Sequence, residues 1–226
     1  EIMSKPILEI VHKQFPKISK PFPAIPELSL LVEFTTTSEL DLHIDDTGET
    51  IFQNKIINVM SHLIENHLID DAVISQSDHQ NKELWEIREN ANIAQMQEGF
   101  QLKLDLSIPI ENMSKFWIET SEELKKKHTE VKICSFGHLG DGNLHYNLMD
   151  EDKTKEYVYN NQTALKELVY KKIKKFNGSF SAEHGIGQLK IEELEKYKDQ
   201  NLLNLMRTIK NSVDPKNILN PGKLFN

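Results

Sequence analysis

The sequence predicts an α+β fold, a mostly antiparallel sheet with helices packed mainly on one face. Three observations lead there. Strand-like and helix-like hydrophobic periods alternate along the 226 residues, two strand-like runs flank a glycine-rich turn as a hairpin would, and no repeat of solenoid period is visible. A chain of this length can bury a substantial core.

The elements follow in order. Five of the eight prolines fall within the first 26 residues, so residues 1–27 read as a proline-rich, irregular lead-in that cannot join a central strand. The domain proper is expected over 28–226, beginning with a strand at 28–34, "LSLLVEF". Segment 50–67 places Phe52, Ile56, Val59, Met60, Leu63 and Ile64 at helical spacing. A second strand is expected at 70–76, and a helix over 80–97 that ends before Gly99. "QLKLDLSIP" (101–109) alternates strictly, with Leu102, Leu104, Leu106 and Ile108 on one face and Lys103, Asp105 and Ser107 on the other. A helix over 110–128 starts just after Pro109. The hairpin strands "VKICSF" and "LHYNLM" come next, then a helix over about 154–175 and C-terminal helices through 189–213. Strand–helix–strand units plus one hairpin are compatible with two ferredoxin-like halves sharing a sheet.

Composition narrows the function classes. The chain is 38% apolar and 27% charged with a net charge of −8, which argues against a nucleic-acid surface. Its basic clusters, 125–128 and 171–175, sit at expected helix ends and read as solvated termini. The lone Cys134 lies in an apolar run and reads as a buried small hydrophobe; a single cysteine also excludes an internal disulfide and favours a reducing compartment. No stretch approaches the roughly 18 consecutive apolar residues of a membrane helix. Because the chain opens "EIMSKPILEI" without an initiating methionine, it is expected to be part of something longer.

The stretch "FGHLGDGNLHYNL" (136–148) uses three of the nine glycines around two histidines. With Asp141-Gly142 as the two central residues of a tight turn, His138 faces His145 across the hairpin. Directly opposed side chains start from β-carbons about 4.5–5.5 Å apart and can converge on one ion, zinc taking imidazole nitrogen at about 2.0–2.1 Å. The same alternation puts Asn147 on the histidine face and Leu139, Leu144 and Leu148 on the other. Two histidines are an incomplete site, and "SAEHGIG" (181–187) offers Glu183 and His184 at a loop between flanking glycines.

Together "GHLGDGNLH", "SAEHGIG", the terminal "DPKNILNPGKLF" and the upstream "LWEIRENANIAQMQEGFQLKLDLSIP" resemble the C-terminal domain of FAD-linked D-2-hydroxy acid dehydrogenases. That family comprises the D-2-hydroxyglutarate and D-lactate dehydrogenases and the FAD subunit of glycolate oxidase. The resemblance implies a divalent metal, usually zinc, held by His138, His145 and Glu183, with His184 as the base that takes the substrate hydroxyl proton. It implies that Arg88 and Lys103 grip substrate carboxylate and that Asn147 adds a polar contact beside the metal. Asn92 stands in the substrate region where the hydroxyglutarate enzymes often carry threonine, which leaves the substrate open among D-lactate, D-2-hydroxyglutarate and glycolate.

The implied reaction moves a hydride from the 2-hydroxy acid to FAD. The chain has no G-x-G-x-x-G, and the flavin is expected mainly on an N-terminal domain absent from this chain, with Asn220 of "NPGK" as a flavin contact. Implied partners are the small 2-hydroxy acid, that FAD domain, and an electron-acceptor protein or quinone; a homodimer is compatible with the sequence. The compartment implied is the cytoplasm, or the mitochondrial matrix in a eukaryote, with peripheral membrane association also compatible. Two other readings stay open at this point. A stand-alone zinc hydrolase would turn over without flavin, and a non-catalytic partner domain would hold no stoichiometric metal.

Overall fold

A computed structural model describes residues 1–46 and 48–225, so Asn226, the end of the expected domain, lies outside it. Strand β1 (Ile2–Ser4) runs into helix α1 (Lys5–Gln14), and β2 (Leu28–Leu30) returns antiparallel to β1. Helix α2 (Ile51–Glu65) starts at Thr50, whose side chain and that of Gln53 cap each other's backbone N–H. Helices α3 (Asp78–Glu89) and α4 (Ala91–Met96) lead to β3 (Gln101–Leu102) and β4 (Asp105–Ser107). Helix α5 (Ile110–Lys127) precedes the hairpin β5 (Val131–Gly137) and β6 (Asn143–Asp150). Helices α6 (Tyr157–Asn160), α7 (Gln162–Lys175), α8 (Ile191–Tyr197) and α9 (Gln200–Val213) complete the chain.

The strands form one antiparallel sheet in the order β2-β1-β5-β6-β3, with β4 also paired to β6. The α+β class therefore stands, but helices cover both faces. On one face Leu104, Leu106, Leu144, Tyr146 and Leu148 pack with Met113 and Phe116 of α5 and Leu165 and Val169 of α7. On the other, Cys134, Phe136 and Met149 pack with Ile7 and Val11 of α1 and with Ile87, Ala91 and Ala94. The alternation of 101–109 is realised: Leu102, Leu104, Leu106 and Ile108 are all buried, each worth about 1.5–3 kcal/mol when removed from water.

Four expectations are corrected. The opening residues are not an irregular lead-in, because β1 sits between β2 and β5 and α1 is part of the second core. Pro6 falls in the first turn of α1, where its missing N–H costs nothing, and the other early prolines follow the helix. Residues 70–76 form no strand, and 28–34 pairs only over Leu28–Leu30. The helix expected over 80–97 is two helices that meet at Asn90.

The fourth correction concerns the hairpin register. Phe136, not His138, opposes His145, and Cys134 opposes Asn147. Residues 138–142 make a wider loop containing a short 3₁₀ turn, Leu139–Asp141, closed by Gly142 at φ 68°. A two-residue turn is displaced because the loop also bonds β4's extension: Ile108 N–H donates to Gly142 O at 2.8 Å. A β-carbon on Gly142 would stand 2.2 Å from Ile108 O, and one on Gly137 would stand 2.4 Å from Asn143 O. Close backbone approach, more than turn type, is what these two glycines permit.

Candidate active site

The register puts Asp105 opposite His145 and Cys134 opposite Asn147, so the histidine lies on the sheet face that α3 and α4 cover. His145 is tilted against Phe136 with ring centroids 5.0 Å apart. His138 has left the ladder, yet its loop brings it back over the same end of the sheet. Glu183 meets both: Oε1 is 3.3 Å from His138 Nε2, and Oε2 is 3.9 Å from His145 Nε2. Two imidazoles and a carboxylate far apart in sequence thus converge, although His138 and His145 are not cross-strand partners. They do so through direct contacts. Among the described residues, no group of three or more His, Cys, Asp or Glu side chains is arranged as a metal-holding cluster.

Burial pushes the His145 imidazole below its ordinary value, against the opposing pull of Glu183 and Asp105 and with help from Arg88 and His138. A neutral imidazole is what ligand or base chemistry requires. Cys134, fully buried on this same face, has its thiol pushed up to about 12 by burial and packs as the small hydrophobe expected from the sequence.

Arg88 comes from the last turn of α3 and reaches this cluster. Its Nε donates to Glu1 Oε2 at 2.6 Å, its guanidinium lies 5.0 Å over the Phe136 ring, and its side chain is only 13% exposed. Burial acts to raise the Glu1 carboxyl, but the Arg88 hydrogen bond and the charges of Arg88 and His138 outweigh it and hold the group below its usual range. Lys103 and Asn92 stand together at the exposed side, with Lys103 Nζ donating to Asn92 Oδ1 at 3.2 Å.

Asn147 is placed differently from the others. It is 3% exposed, its Oδ1 accepts from Leu104 N–H, and its Nδ2 donates to Gln95 Oε1 at 2.8 Å. Its amide joins α4, β6 and the β3–β4 link rather than facing the histidines. Asn143 instead is the amide beside the carboxylate, donating from Nδ2 to Glu183 Oε1. Asn220 is exposed in a left-handed turn (φ 49°) of a tail whose Leu224 N–H bonds Gly187 O at 2.9 Å.

The loop bearing Glu183 and His184 is held from below. One oxygen of Asp105, Oδ2, accepts from the backbone N–H groups of Ala182, Glu183 and His184 at 3.1, 3.1 and 2.9 Å. The His184 side chain is largely exposed, with Nδ1 3.6 Å from the same oxygen. Sequence reading passed over Glu1, Asn143 and the clamp made by Asp105. Only Asp105 left a signal, as a carboxylate on the polar side of the alternating run; nothing local in the sequence marks Glu1 or Asn143.

Comparison with known proteins places the whole chain in one family. The family described as "FAD linked oxidases, C-terminal domain" matches residues 1–224. The chain belongs to that family. A protein of Oryza sativa subsp. japonica named "Probable D-2-hydroxyglutarate dehydrogenase, mitochondrial" is 31% identical over the whole chain and 37% of its own length. The D-2-hydroxyglutarate dehydrogenase of Xanthomonas citri pv. viticola is 38% identical over 72% of the chain and 34% of its own length. The mitochondrial D-2-hydroxyglutarate dehydrogenase of Rattus norvegicus is 34% identical over 75% of the chain and 30% of its own length. The chain therefore spans about a third of the curated relatives it matches. Among the described residues, no helix is long and apolar enough to cross a membrane.

Proposed function

We propose that this chain is the substrate-binding part of a flavin-dependent dehydrogenase that oxidises a D-2-hydroxy acid to the 2-oxo acid. D-2-hydroxyglutarate is the first candidate, on the names of the relatives, with D-lactate and glycolate behind it. The observation that carries the reading is the meeting of Glu183 with His138 and His145.

What supports a divalent cation such as zinc is the chemistry of the donors, two imidazole nitrogens and a carboxylate, which are ligand types that zinc takes. A carboxylate can only accept, so the 2.6 Å contact of His138 Nδ1 with Glu1 Oε1 assigns the ring proton to Nδ1. Nε2 is then an electron-rich nitrogen 3.3 Å from the electron-rich Glu183 Oε1, a pairing that calls for positive charge on or between them. His138 Nε2, His145 Nε2 and the Glu183 carboxylate would hold the cation. When bound, it supplies a Lewis acid that eases loss of the substrate's hydroxyl proton, and FAD, carried mainly on a separate N-terminal domain, supplies the hydride acceptor.

The chain's own groups do the rest. His184 takes the hydroxyl proton at Nε2, because Nδ1 faces the Asp105 carboxylate. Lys103 binds substrate carboxylate, exchanging its contact with Asn92, and Asn92 then borders the same carboxylate. Arg88 offers a carboxylate the guanidinium nitrogens beyond the Nε that Glu1 engages. Asn147 serves by fixing β6 under His145, and Asn220 extends toward the flavin from the tail docked at Gly187. The reading also calls for an electron-acceptor protein or a quinone as a partner of the whole enzyme.

The test uses the protein joined to its FAD domain, with an artificial electron acceptor and a panel of D-2-hydroxy acids. Turnover of a D-2-hydroxy acid, abolished by His184→Gln and by removal of divalent metal, is expected. Metal-free preparations of full activity would refute the metal assignment, and turnover of none of the acids would refute the reaction class.

A further inference from the structure

The loop 181–187 has no regular structure, yet it must present Glu183 at one place. Its tethers are specific. Ser107 and Ser179 exchange both backbone hydrogen bonds, at 2.9 and 2.7 Å, which ends the preceding segment on β4. Lys190 Nζ donates to Phe180 O and Ser181 Oγ, and Leu224 N–H reaches Gly187 O. Between these ends lie Ala182, Glu183 and His184, and all three of their N–H groups converge on Asp105 Oδ2.

Three successive amides aimed at one oxygen make a concave anion-binding turn, here filled by a side chain of the same protein. The Asp105 carboxylate is 4% exposed, and an ionised group is buried at that depth only when charge-assisted hydrogen bonds offset its desolvation. Its register adds to the case. Asp105 is the cross-strand partner of His145, so one position of the sheet fixes both an imidazole and the turn that carries the facing carboxylate. Asp105 Oδ1 and Asn143 Oδ1 are both buried without a hydrogen-bond partner, on the same side of the sheet.

We propose that Asp105 is a positioning residue, clamping the 182–184 turn to β4 and thereby aiming Glu183 at His138 and His145. This rests on the reading of those three side chains as the site. An apolar side chain of similar size would fill the space but leave three N–H groups unpaired and the turn free to rotate. Asparagine would keep a single acceptor oxygen without the charge.

The test is nuclear magnetic resonance on the full 226-residue chain at one neutral pH, comparing wild type, D105N, D105A and E183Q. One readout is hydrogen exchange at the amides of Ala182, Glu183 and His184, with amides of α5 as the control for folding. The other is the imidazole nitrogen shifts of His138 and His145. The wild-type turn should be protected, and D105A should speed its exchange by about ten- to a hundredfold, as loss of a hydrogen bond to a charged group allows. D105A should also move both imidazole signals to where E183Q puts them. D105N should fall between on both readouts, and it carries the test alone if D105A does not fold. Unprotected amides in the wild type, or imidazole signals unmoved in both Asp105 variants, would overturn the proposal. The readouts need neither metal nor turnover, so a chain that passes them yet takes up no zinc would count against the proposed function and not against the clamp.

Discussion

His138 Nδ1 lies 2.6 Å from Glu1 Oε1, and the other oxygen of Glu1 accepts from Arg88 Nε at the same distance. Arg88, Glu1, His138 and Glu183 therefore form one line of alternating charge and acceptor running from α3 to the 181–187 loop. A histidine whose Nδ1–H is held by a carboxylate has its tautomer and ring plane fixed, and its Nε2 becomes a better donor of electrons.

Glu1→Gln should weaken zinc binding by about ten- to a hundredfold, the usual effect of removing a carboxylate behind a ligating histidine. Isothermal titration of zinc into both proteins measures it, and unchanged affinity would detach Glu1 from the site. The same carboxylate is held below its ordinary 4.5, with burial opposing and the Arg88 hydrogen bond and charge prevailing. A depressed folded-state value stabilises the protein above about pH 4.5, and that contribution is lost as pH falls through the folded value. The acid limb of urea-denaturation stability should be shallower in Glu1→Gln.

Gly142→Ala should destabilise the hairpin by at least about 2 kcal/mol, combining left-handed strain with a steric clash. The backbone is at φ 68°, and the added carbon would meet Ile108 O at 2.2 Å, a backbone atom that cannot swing aside. Gly140→Ala should cost less, because nothing lies within 4 Å of its added carbon. Equilibrium urea denaturation of the pair separates the two, and equal losses would refute the close-approach account.

Hydrophobic period made the centre of the molecule legible. The leucines of 101–109, the helix over 110–128 and the two hairpin strands follow from spacing alone, and Cys134 from its apolar neighbours. The edges were not legible in the same way. Proline density at the start suggested an irregular lead-in unable to join a central strand, whereas one proline sits in a helix's first turn and the strand before it is paired on both sides. His138, His145 and Glu183 were expected to lie together, and the fold brings them within 4 Å of one another through Glu183, but the hairpin register was read wrongly. His138 and His145 were placed opposite each other because Asp-Gly favours a two-residue turn, but Ile108 bonds Gly142 from outside the hairpin and holds a wider loop. Long-range contacts such as His138 with Glu1 leave no periodic trace.

Asn147→Ala should cost about 2–3 kcal/mol of stability, since it removes the acceptor of Leu104 N–H and leaves the buried Gln95 Oε1 without the donor Asn147 supplies. Asn147→Asp should be no better, because a carboxylate cannot donate to Gln95 Oε1. Thermal denaturation checks both. A variant of full stability but altered substrate affinity in the protein joined to its FAD domain would return Asn147 to the substrate side.

Glu123 joins α5 to α7, with Oε1 2.6 Å from Lys127 Nζ and Oε2 2.9 Å from Lys172 Nζ. The hydrogen bonds from Lys127 and Lys172 depress its carboxyl from 4.5 to about 2. The ionised form is therefore favoured by folding, so the contribution is complete above pH 4.5 and disappears as pH falls toward about 2. The side chain is 31% exposed, so solvent and salt screen the pair and keep the amplitude well short of the full shift. Stability should fall less on acidification through this window in Glu123→Gln than in wild type, and the difference should shrink in high salt. Urea titrations at several pH values, repeated at low and high ionic strength, measure both trends. Parallel pH profiles would mean that Lys172 and Lys127 hold the helices together no better than the uncharged amide does.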